Sequence, residues 1–151
     1  MTVRVAINGF GRIGRLVLRA AAEAGRNDVQ VIGVNDLGSV EANAHLLRYD
    51  SVHGRYPKDV SVNGDSINVG SGPIKVTAER DPAQLPWGEL GVDVVLECTG
   101  IFTKRADAAK HIAAGARKVL ISAPSGDADQ TVVYGVNHDM LKAGHEVVSN
   151  A

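Results

Sequence analysis

The sequence predicts an α/β fold: a Rossmann-like, doubly wound and mostly parallel sheet with an antiparallel hairpin insertion near residues 59–70. Short β-branched runs alternate along the chain with apolar patterns at helical spacing, which is typical of repeated strand–helix units. Most of these runs are apolar almost throughout, as parallel strands covered on both faces require. A chain of 151 residues is long enough to bury one core, so we expect a single domain, residues 1–151.

The chain opens with the pattern of a βαβ unit. Residues 3–7 form the first apolar run, which stops just before Gly9. Apolar residues at helical spacing follow, and Gly25 predicts the end of that helix. Residues 29–34 form a second apolar run, so we expect two parallel strands joined by a helix.

The middle of the chain interrupts the parallel pattern. Residues 40–47 predict a helix, and residues 48–58 predict an irregular stretch. Valine and isoleucine then alternate with polar residues around Asn63 and Gly64, which predicts a hairpin with a type I′ turn at that pair. Residues 74–77 predict a further strand.

The second half returns to alternating strands and helices. A buried strand is predicted over residues 92–98, followed by a helix over residues 105–114 that Thr103 caps and Gly115 ends. The remaining predictions are strands at residues 119–122, 132–134 and 146–149, with a short helix near Met140.

The composition excludes several classes of function. Sixteen basic and seventeen acidic residues are interspersed, which argues against nucleic acid or an anionic membrane surface as a partner. The longest apolar runs are about five residues, far short of the roughly 20 that a membrane span needs. No secretory signal is visible at the N-terminus, so we expect a cytoplasmic protein.

The cysteine and histidine content predicts no metal site. Cys98 is the single cysteine, which excludes an intrachain disulfide or a zinc knuckle. It ends an apolar strand, so we interpret it as a packed side chain and not as a nucleophile. The histidines lack the spacing of metal ligands, and each is interpreted as exposed or locally hydrogen-bonded: His45, His53, His111, His138 and His145.

A glycine loop carries the first functional signal. Gly9, Gly11 and Gly14 form a G-x-G-x-x-G pattern where the first strand turns into the first helix. Gly9 permits the tight turn, Gly11 lets the backbone approach a pyrophosphate, and Gly14 lets the helix lie close to the sheet. The amides of Arg12 and Ile13 at the helix start can bind phosphate oxygens. The sequence therefore predicts a Rossmann-type dinucleotide site.

Asp36 predicts which dinucleotide binds. It follows the second strand about 20 residues after the glycine loop, where a carboxylate accepts bonds from the adenosine ribose hydroxyls. The same charge repels the 2′-phosphate of NADP, so NAD is the predicted cofactor. ATP hydrolysis is not predicted, because Arg15 and Leu16 stand where a P-loop has Lys-Ser or Lys-Thr.

The chain also resembles one family along its whole length. The resemblance rests on these motifs, in chain order: Asn8-Gly-Phe-Gly-Arg-Ile-Gly-Arg15, His45-Leu-Leu-Arg-Tyr-Asp-Ser-Val-His-Gly-Arg55, Glu97-Cys-Thr-Gly100, Ser122-Ala-Pro124, Tyr134-Gly-Val-Asn137 and Ser149-Asn-Ala151. They resemble phosphorylating glyceraldehyde-3-phosphate dehydrogenase of the bacterial type. The resemblance implies that Arg80 contacts the adenine region, and that Thr99 and Ser122 contact the ribose and nicotinamide side.

The resemblance also implies a reaction for the complete enzyme. A cysteine thiolate attacks glyceraldehyde 3-phosphate, hydride passes to NAD, and inorganic phosphate cleaves the acyl-thioester, with a histidine as base. That cysteine and histidine are expected beyond Ala151, in a catalytic domain absent from this chain. We therefore expect no catalytic residue here, NAD binding without turnover, and a homotetrameric parent enzyme.

Two other functions remain open at this point. Erythrose-4-phosphate dehydrogenase shares the glycine loop, and its substrate contacts would also lie beyond this chain. A noncatalytic nucleotide- or RNA-binding module would use a basic cluster that we otherwise interpret as an ordinary solvated helix face: Lys104, Arg105, Lys110, Arg117 and Lys118.

Overall fold

The computed structural model describes residues 1–151 and contains a nine-stranded sheet and a separate two-stranded hairpin. The strands are β1 (Val3–Asn8), β2 (Val29–Asn35), β3 (Tyr49–Asp50), β4 (Gly54–Arg55), β5 (Ser61–Asn63), β6 (Ser66–Asn68), β7 (Pro73–Thr77), β8 (Val94–Glu97), β9 (Lys118–Ile121), β10 (Gln130–Thr131) and β11 (Val147–Ser149). Strands β3 and β4 form the separate hairpin.

Five α-helices connect the strands. They are α1 (Arg12–Glu23), α2 (Val40–Arg48), α3 (Trp87–Leu90), α4 (Arg105–Ala108) and α5 (Lys110–Ala113), with 3₁₀ turns at Pro82–Gln84 and His138–Met140. None of these helices combines the length and the apolar character that crossing a membrane requires.

The sheet has the predicted doubly wound order. Its strands lie in the order β10-β11-β9-β8-β1-β2-β7-β6-β5. The seven strands from β10 to β7 are parallel, and β6 and β5 join antiparallel at the edge, as the hairpin insertion. From β1 the chain proceeds outward through β2 on one side and through β8 on the other. This reversal opens a crevice at the carboxyl ends of β1 and β8.

Both faces of the sheet are buried near its centre, because successive strand residues point to opposite sides. On one face, Val5 and Ile7 of β1 pack in a cluster with Leu18 of α1 and Leu47 of α2. On the other face, Ala6 packs in a second cluster with Trp87 and other residues of the segment around α3. The continuous apolar runs of the sequence are explained by this two-sided burial.

The hairpin turn differs from the prediction by one residue. Asn63 pairs with Ser66, so Gly64 and Asp65 form the two-residue loop instead of Asn63 and Gly64. Gly64 has φ +60°, and no non-glycine residue has positive φ. A type I′ turn needs positive φ at both central residues, whereas type II′ needs it only at the first, so the type I′ prediction is wrong.

The predicted cap of the helix after β8 is also wrong. The residue before α4 is Lys104, not Thr103, and its side chain makes no capping bond. Asp127, far along the chain, supplies the acceptor instead: its Oδ1 lies 2.8 Å from the amide of Arg105. The helix itself is divided at Ala109 into α4 and α5.

The strand predicted at residues 132–134 begins earlier, as Gln130–Thr131. Val132 still donates from its amide to the carbonyl of Ser149. Val133 and Tyr134 are exposed and leave the sheet, because β11 has only three residues against which to pair.

Asp129 anchors this edge of the sheet to α4. Its carboxylate pairs with Arg105, with Nε 2.7 Å from Oδ1, and accepts the amides of Glu146 and Val147 at 2.8 and 3.0 Å. The Arg105 guanidinium first, and the Val147 amide next, hold the pKa of Asp129 well below its usual range.

Replacing Asp129 with asparagine is expected to lower the free energy of unfolding by about 1 kcal/mol at pH 7, since one acceptor oxygen remains but the charge is lost. Because the folded-state pKa is depressed, the stabilisation is present above the unfolded-state pKa of about 3.9 and is lost as the pH falls through the folded-state value. Urea unfolding should therefore show a difference in the free energy of unfolding between wild type and variant, and this gap should become smaller below about pH 4. A gap that does not change with pH, or an equal gap for the exposed Asp139→Asn control, would contradict this account.

Candidate functional site

A cleft of about 490 Å³ lies at the sheet reversal, a volume within the range of small-molecule sites. Its lining comes from the loops that follow β1, β2, β7 and β8. The lining residues are Asn8, Gly9, Gly11, Asn35, Asp36, Leu37, Glu79, Arg80, Cys98, Thr99, Ile101 and Phe102. The cleft therefore brings together Gly9, Gly11, Asp36, Arg80 and Thr99 of the predicted site.

The three glycines have different steric surroundings. Gly9 has φ +89°, and a Cβ there would lie 2.8 Å from the amide nitrogen of Thr99. A Cβ on Gly14 would lie 2.3 Å from the carbonyl oxygen of Gly9 and 2.9 Å from Ile7 Cγ2. A Cβ on Gly11 would meet no atom within 4 Å. The tight turn at Gly9 and the close helix–sheet packing at Gly14 are thus confirmed, whereas the protein itself does not require glycine at position 11.

The start of α1 leaves hydrogen-bond donors free. Gly11 precedes the helix and makes no side-chain cap, and the first turn holds no acidic residue. The amides of Arg12, Ile13 and Gly14 find no acceptor in the protein. A twelve-residue helix with an uncapped N-terminus presents both unpaired amides and the positive end of its dipole, which suits an anion.

The side chains of Arg12 and Ile13 do not line the cleft. The guanidinium of Arg12 donates to Asp50 in the β3–β4 hairpin at 2.9 Å, and Ile13 is half exposed. The amides of His53 and Val52, and then Arg12, hold the pKa of Asp50 well below its usual range. The backbone amides of Arg12 and Ile13, for which the sequence predicts phosphate binding, have no partner in the protein.

Asp36 contacts the glycine turn and is half-buried. Its Oδ1 accepts the amide of Phe10 at 3.1 Å, and its Oδ2 accepts the amide of Gly38 at 3.0 Å. Each carboxylate oxygen has a second lone pair, so two acceptor positions remain for a pair of ligand hydroxyls.

Arg80, Thr99 and Ser122 have different relations to the cleft. Arg80 is exposed at its rim, and Thr99 is half-buried in its wall. Ser122 follows β9, one strand further from the reversal, and is not among the lining residues. Its hydroxyl donates to the carbonyl of Glu97 at 3.3 Å.

A row of polar side chains crosses the sheet beneath the cleft, in register at the ends of four neighbouring strands. Asn8 donates to Glu97 Oε2 at 2.7 Å, Asn35 donates to Asn8 Oδ1 at 2.8 Å, and Thr77 donates to Asn35 Oδ1 at 2.8 Å. Asn8, Asn35 and Glu97 are almost fully buried. The sequence held a signal for the three buried members of this row, since each is the first polar side chain after an apolar strand interior.

His111 extends the row away from the sheet, on the face that Trp87 covers. Its Nε2 lies 2.6 Å from Glu97 Oε2, and Trp87 Nε1 donates to its Nδ1 at 3.0 Å. Both rings are fully buried. His111 is thus hydrogen-bonded but not exposed, because α5 turns it toward the sheet and away from solvent.

Cys98 is half-buried and packs against the core cluster around β1. Burial raises the pKa of its thiol, which keeps it protonated at neutral pH. The thiol therefore has the character of a packed side chain, although it also borders the cleft. No group of three or more histidine, cysteine, aspartate or glutamate side chains lies close enough together to hold a metal ion.

A doubly wound sheet, a glycine turn against an uncapped helix start, and a carboxylate after the second strand together define a dinucleotide-binding α/β domain. Comparison with known proteins narrows this class. A family model for the NAD-binding domain of glyceraldehyde 3-phosphate dehydrogenase matches residues 3–105.

Whole proteins of the same family match the full chain. It is 68% identical over 151 residues to glyceraldehyde-3-phosphate dehydrogenase of Xanthobacter flavus, and 64% identical to that of Cereibacter sphaeroides. The enzyme of Pseudomonas aeruginosa is 59% identical over 152 residues. The chain spans 45% of the length of the first two relatives.

This chain belongs to the glyceraldehyde-3-phosphate dehydrogenase family, as its NAD-binding domain, and its cofactor is NAD. The comparisons support neither erythrose-4-phosphate dehydrogenase nor an RNA-binding module.

Proposed function

We propose that the cleft binds NAD with the pyrophosphate at the start of α1. The observation that carries this proposal is the set of three amides without acceptors, on Arg12, Ile13 and Gly14, directly after the cleft-lining Gly11. The open space beside Gly11 suits a pyrophosphate that approaches the backbone closely. The cleft volume and its donor set therefore both fit the cofactor.

The adenosine ribose is proposed to bind at Asp36. Two vicinal hydroxyls can donate to the lone pairs that Phe10 and Gly38 leave free. The negative charge would repel a 2′-phosphate, so we propose a preference for NAD over NADP. Arg80 is proposed to lie along the adenine, and Thr99 on the ribose and nicotinamide side. The contact of Ser122 remains a prediction from the family resemblance.

For the complete protein we propose oxidation of glyceraldehyde 3-phosphate with inorganic phosphate as acyl acceptor, in a cytoplasmic homotetramer. Residues 1–151 would form the NAD-binding domain, with the catalytic cysteine and histidine in a separate domain outside this segment. Support comes from the relatives, which are about twice as long as this chain. NAD supplies the hydride acceptor, and this chain's residues hold and orient it.

Titration calorimetry and a coupled assay on the same preparation test this proposal. We expect heat of binding with NAD, less with NADP, and no formation of NADH from glyceraldehyde 3-phosphate and phosphate. Turnover by this chain would contradict the proposed division of labour, and absence of NAD binding would contradict the proposed site.

A further inference from the structure

We propose that Trp87 and His111, which do not line the cleft, are positioning residues for NAD that act through Glu97 on Thr99. The inference rests on the proposed function, since it assumes that the cleft binds NAD. It assigns a binding role to two fully buried rings on the far side of the sheet from the glycine loop helix.

The first step is the pair of hydrogen bonds through which Glu97 fixes the position of Thr99. The amide of Thr99 donates to Glu97 Oε1 at 3.0 Å, and its hydroxyl donates to the same oxygen. The amide of Ile101 donates to Thr99 Oγ1 at 3.1 Å. The hydroxyl has then used its proton and one lone pair. Thr99 can offer the cleft only an acceptor, which suits a ligand hydroxyl or amide and not a phosphate.

Thr99 also fixes the cleft wall against the glycine turn. Its amide nitrogen lies so close to Gly9 that a Cβ on that glycine would be 2.8 Å away. A displacement of Thr99 would therefore move the wall that faces the start of α1.

The second step is the hydrogen bond through which His111 fixes the carboxylate of Glu97. The other carboxylate oxygen, Oε2, accepts Asn8 Nδ2 at 2.7 Å and faces His111 Nε2 at 2.6 Å. Each oxygen thus meets two donor groups, and a rotation of the carboxylate would break bonds on both sides. With the side chain of Glu97 1% exposed, water cannot replace a lost donor.

The third step is the choice of histidine tautomer by Trp87. An indole N–H can only donate, so the Nδ1 of His111 that it contacts must carry no proton. The proton of the neutral imidazole then lies on Nε2 and points at Glu97. Trp87 begins α3 and His111 lies in α5, so two short helices orient one wall of the cleft.

Two substitutions of His111 separate its hydrogen bond to Glu97 from its hydrogen bond to Trp87. The amide nitrogen of glutamine can take the place of Nε2 in His111→Gln, which keeps a donor for Glu97 and loses the acceptor for Trp87. The oxygen of asparagine can take the place of Nδ1 in His111→Asn, which keeps the acceptor for Trp87 and leaves Glu97 without its donor. Both remove a buried ring, so stability alone would not distinguish them.

Calorimetry should show NAD bound about tenfold more weakly by His111→Asn, and close to wild type by His111→Gln. AMP contains the adenosine and one phosphate but lacks the nicotinamide half that is proposed to lie by Thr99, so its affinity should change by no more than about twofold in either variant. Trp87→Phe keeps most of the packing, removes the N–H that selects the tautomer, and should weaken NAD by about threefold.

Amide hydrogen exchange without NAD provides an independent reading. The Thr99 amide should lose protection in His111→Asn and keep it in His111→Gln, and ¹⁵N spectra of wild type should show the His111 proton on Nε2. Equal effects of Gln and Asn on NAD, or an equal loss for NAD and AMP, would overturn the inference. No NAD binding by wild type would instead overturn the proposed function on which this inference rests, whatever the hydrogen exchange of the Thr99 amide shows.

Discussion

Gly14→Ala is expected to destabilise the fold by about 3 kcal/mol, whereas Gly11→Ala should leave the fold as stable as wild type and weaken NAD binding. A Cβ on Gly14 would lie 2.3 Å from the carbonyl oxygen of Gly9, which belongs to a turn that cannot easily retreat. Helix α1 would have to move away from the sheet, so packing of its buried face would be lost. Urea unfolding measures this cost directly.

Gly11 provides the matched control, because the same methyl group meets no protein atom there. Its φ of −74° is ordinary for alanine, so the substitution can be made without strain and should leave the free energy of unfolding close to the wild-type value. The methyl would, however, occupy the space proposed for the pyrophosphate. NAD affinity measured by calorimetry should fall by about 10- to 100-fold.

The two variants together separate folding from binding. If Gly11→Ala bound NAD as wild type does, the pyrophosphate would not lie at the start of α1. If Gly14→Ala unfolded at the same urea concentration as wild type, the helix would accommodate a methyl group there, and close packing would not explain the glycine at position 14.

The mostly parallel, doubly wound class of the sheet could be predicted from the sequence because the relevant signals are local, whereas the order of the strands follows from the structure. Apolar strands with no polar alternation indicate burial on both faces, and Gly9 and Gly25 mark the turns at which helices begin or end. The hairpin near residues 59–70 was predicted for the same reason. The type of its turn was predicted wrongly, because the Asn63-Gly64 pair also fits a hairpin whose register is shifted by one residue.

Features that depend on distant partners could not be predicted. Asp127 caps α4 from 22 positions away, so no local pattern distinguishes it from the nearer Thr103. His111 looked like any helix-surface histidine, since its partners Trp87 and Glu97 lie on separate elements. Propensity and spacing describe neighbours along the chain, whereas these bonds follow from how the sheet brings its connections together.

The candidate site divides in the same way. Gly9, Gly11 and Asp36 lie together in the cleft because a strand end fixes each of them, and strand ends are visible in the sequence. Arg80 and Ser122 were assigned by family resemblance, and only Arg80 borders the cleft. A strand end alone does not place a residue in this cleft, because Ser122 also follows a strand, β9, which lies one position further from the reversal.

Asp36→Ala is expected to weaken NAD binding by about 5- to 30-fold, equivalent to about 1 to 2 kcal/mol, because hydrogen bonds from the ribose to a charged acceptor are lost. The substitution also leaves the amide of the buried Phe10 without its acceptor, so the free energy of unfolding should fall as well. Affinity must therefore be measured where urea unfolding shows the variant to be folded.

Asp36→Asn separates charge from hydrogen bonding. The amide keeps one acceptor oxygen for a backbone amide, adds a donor, and removes the charge that opposes a 2′-phosphate. NAD affinity should fall while NADP affinity falls less or rises. The ratio of NAD affinity to NADP affinity should therefore be smaller than in wild type. If both cofactors weakened by the same factor, the carboxylate would have no part in selecting NAD, and its role would be confined to holding the amides of Phe10 and Gly38 in the turn.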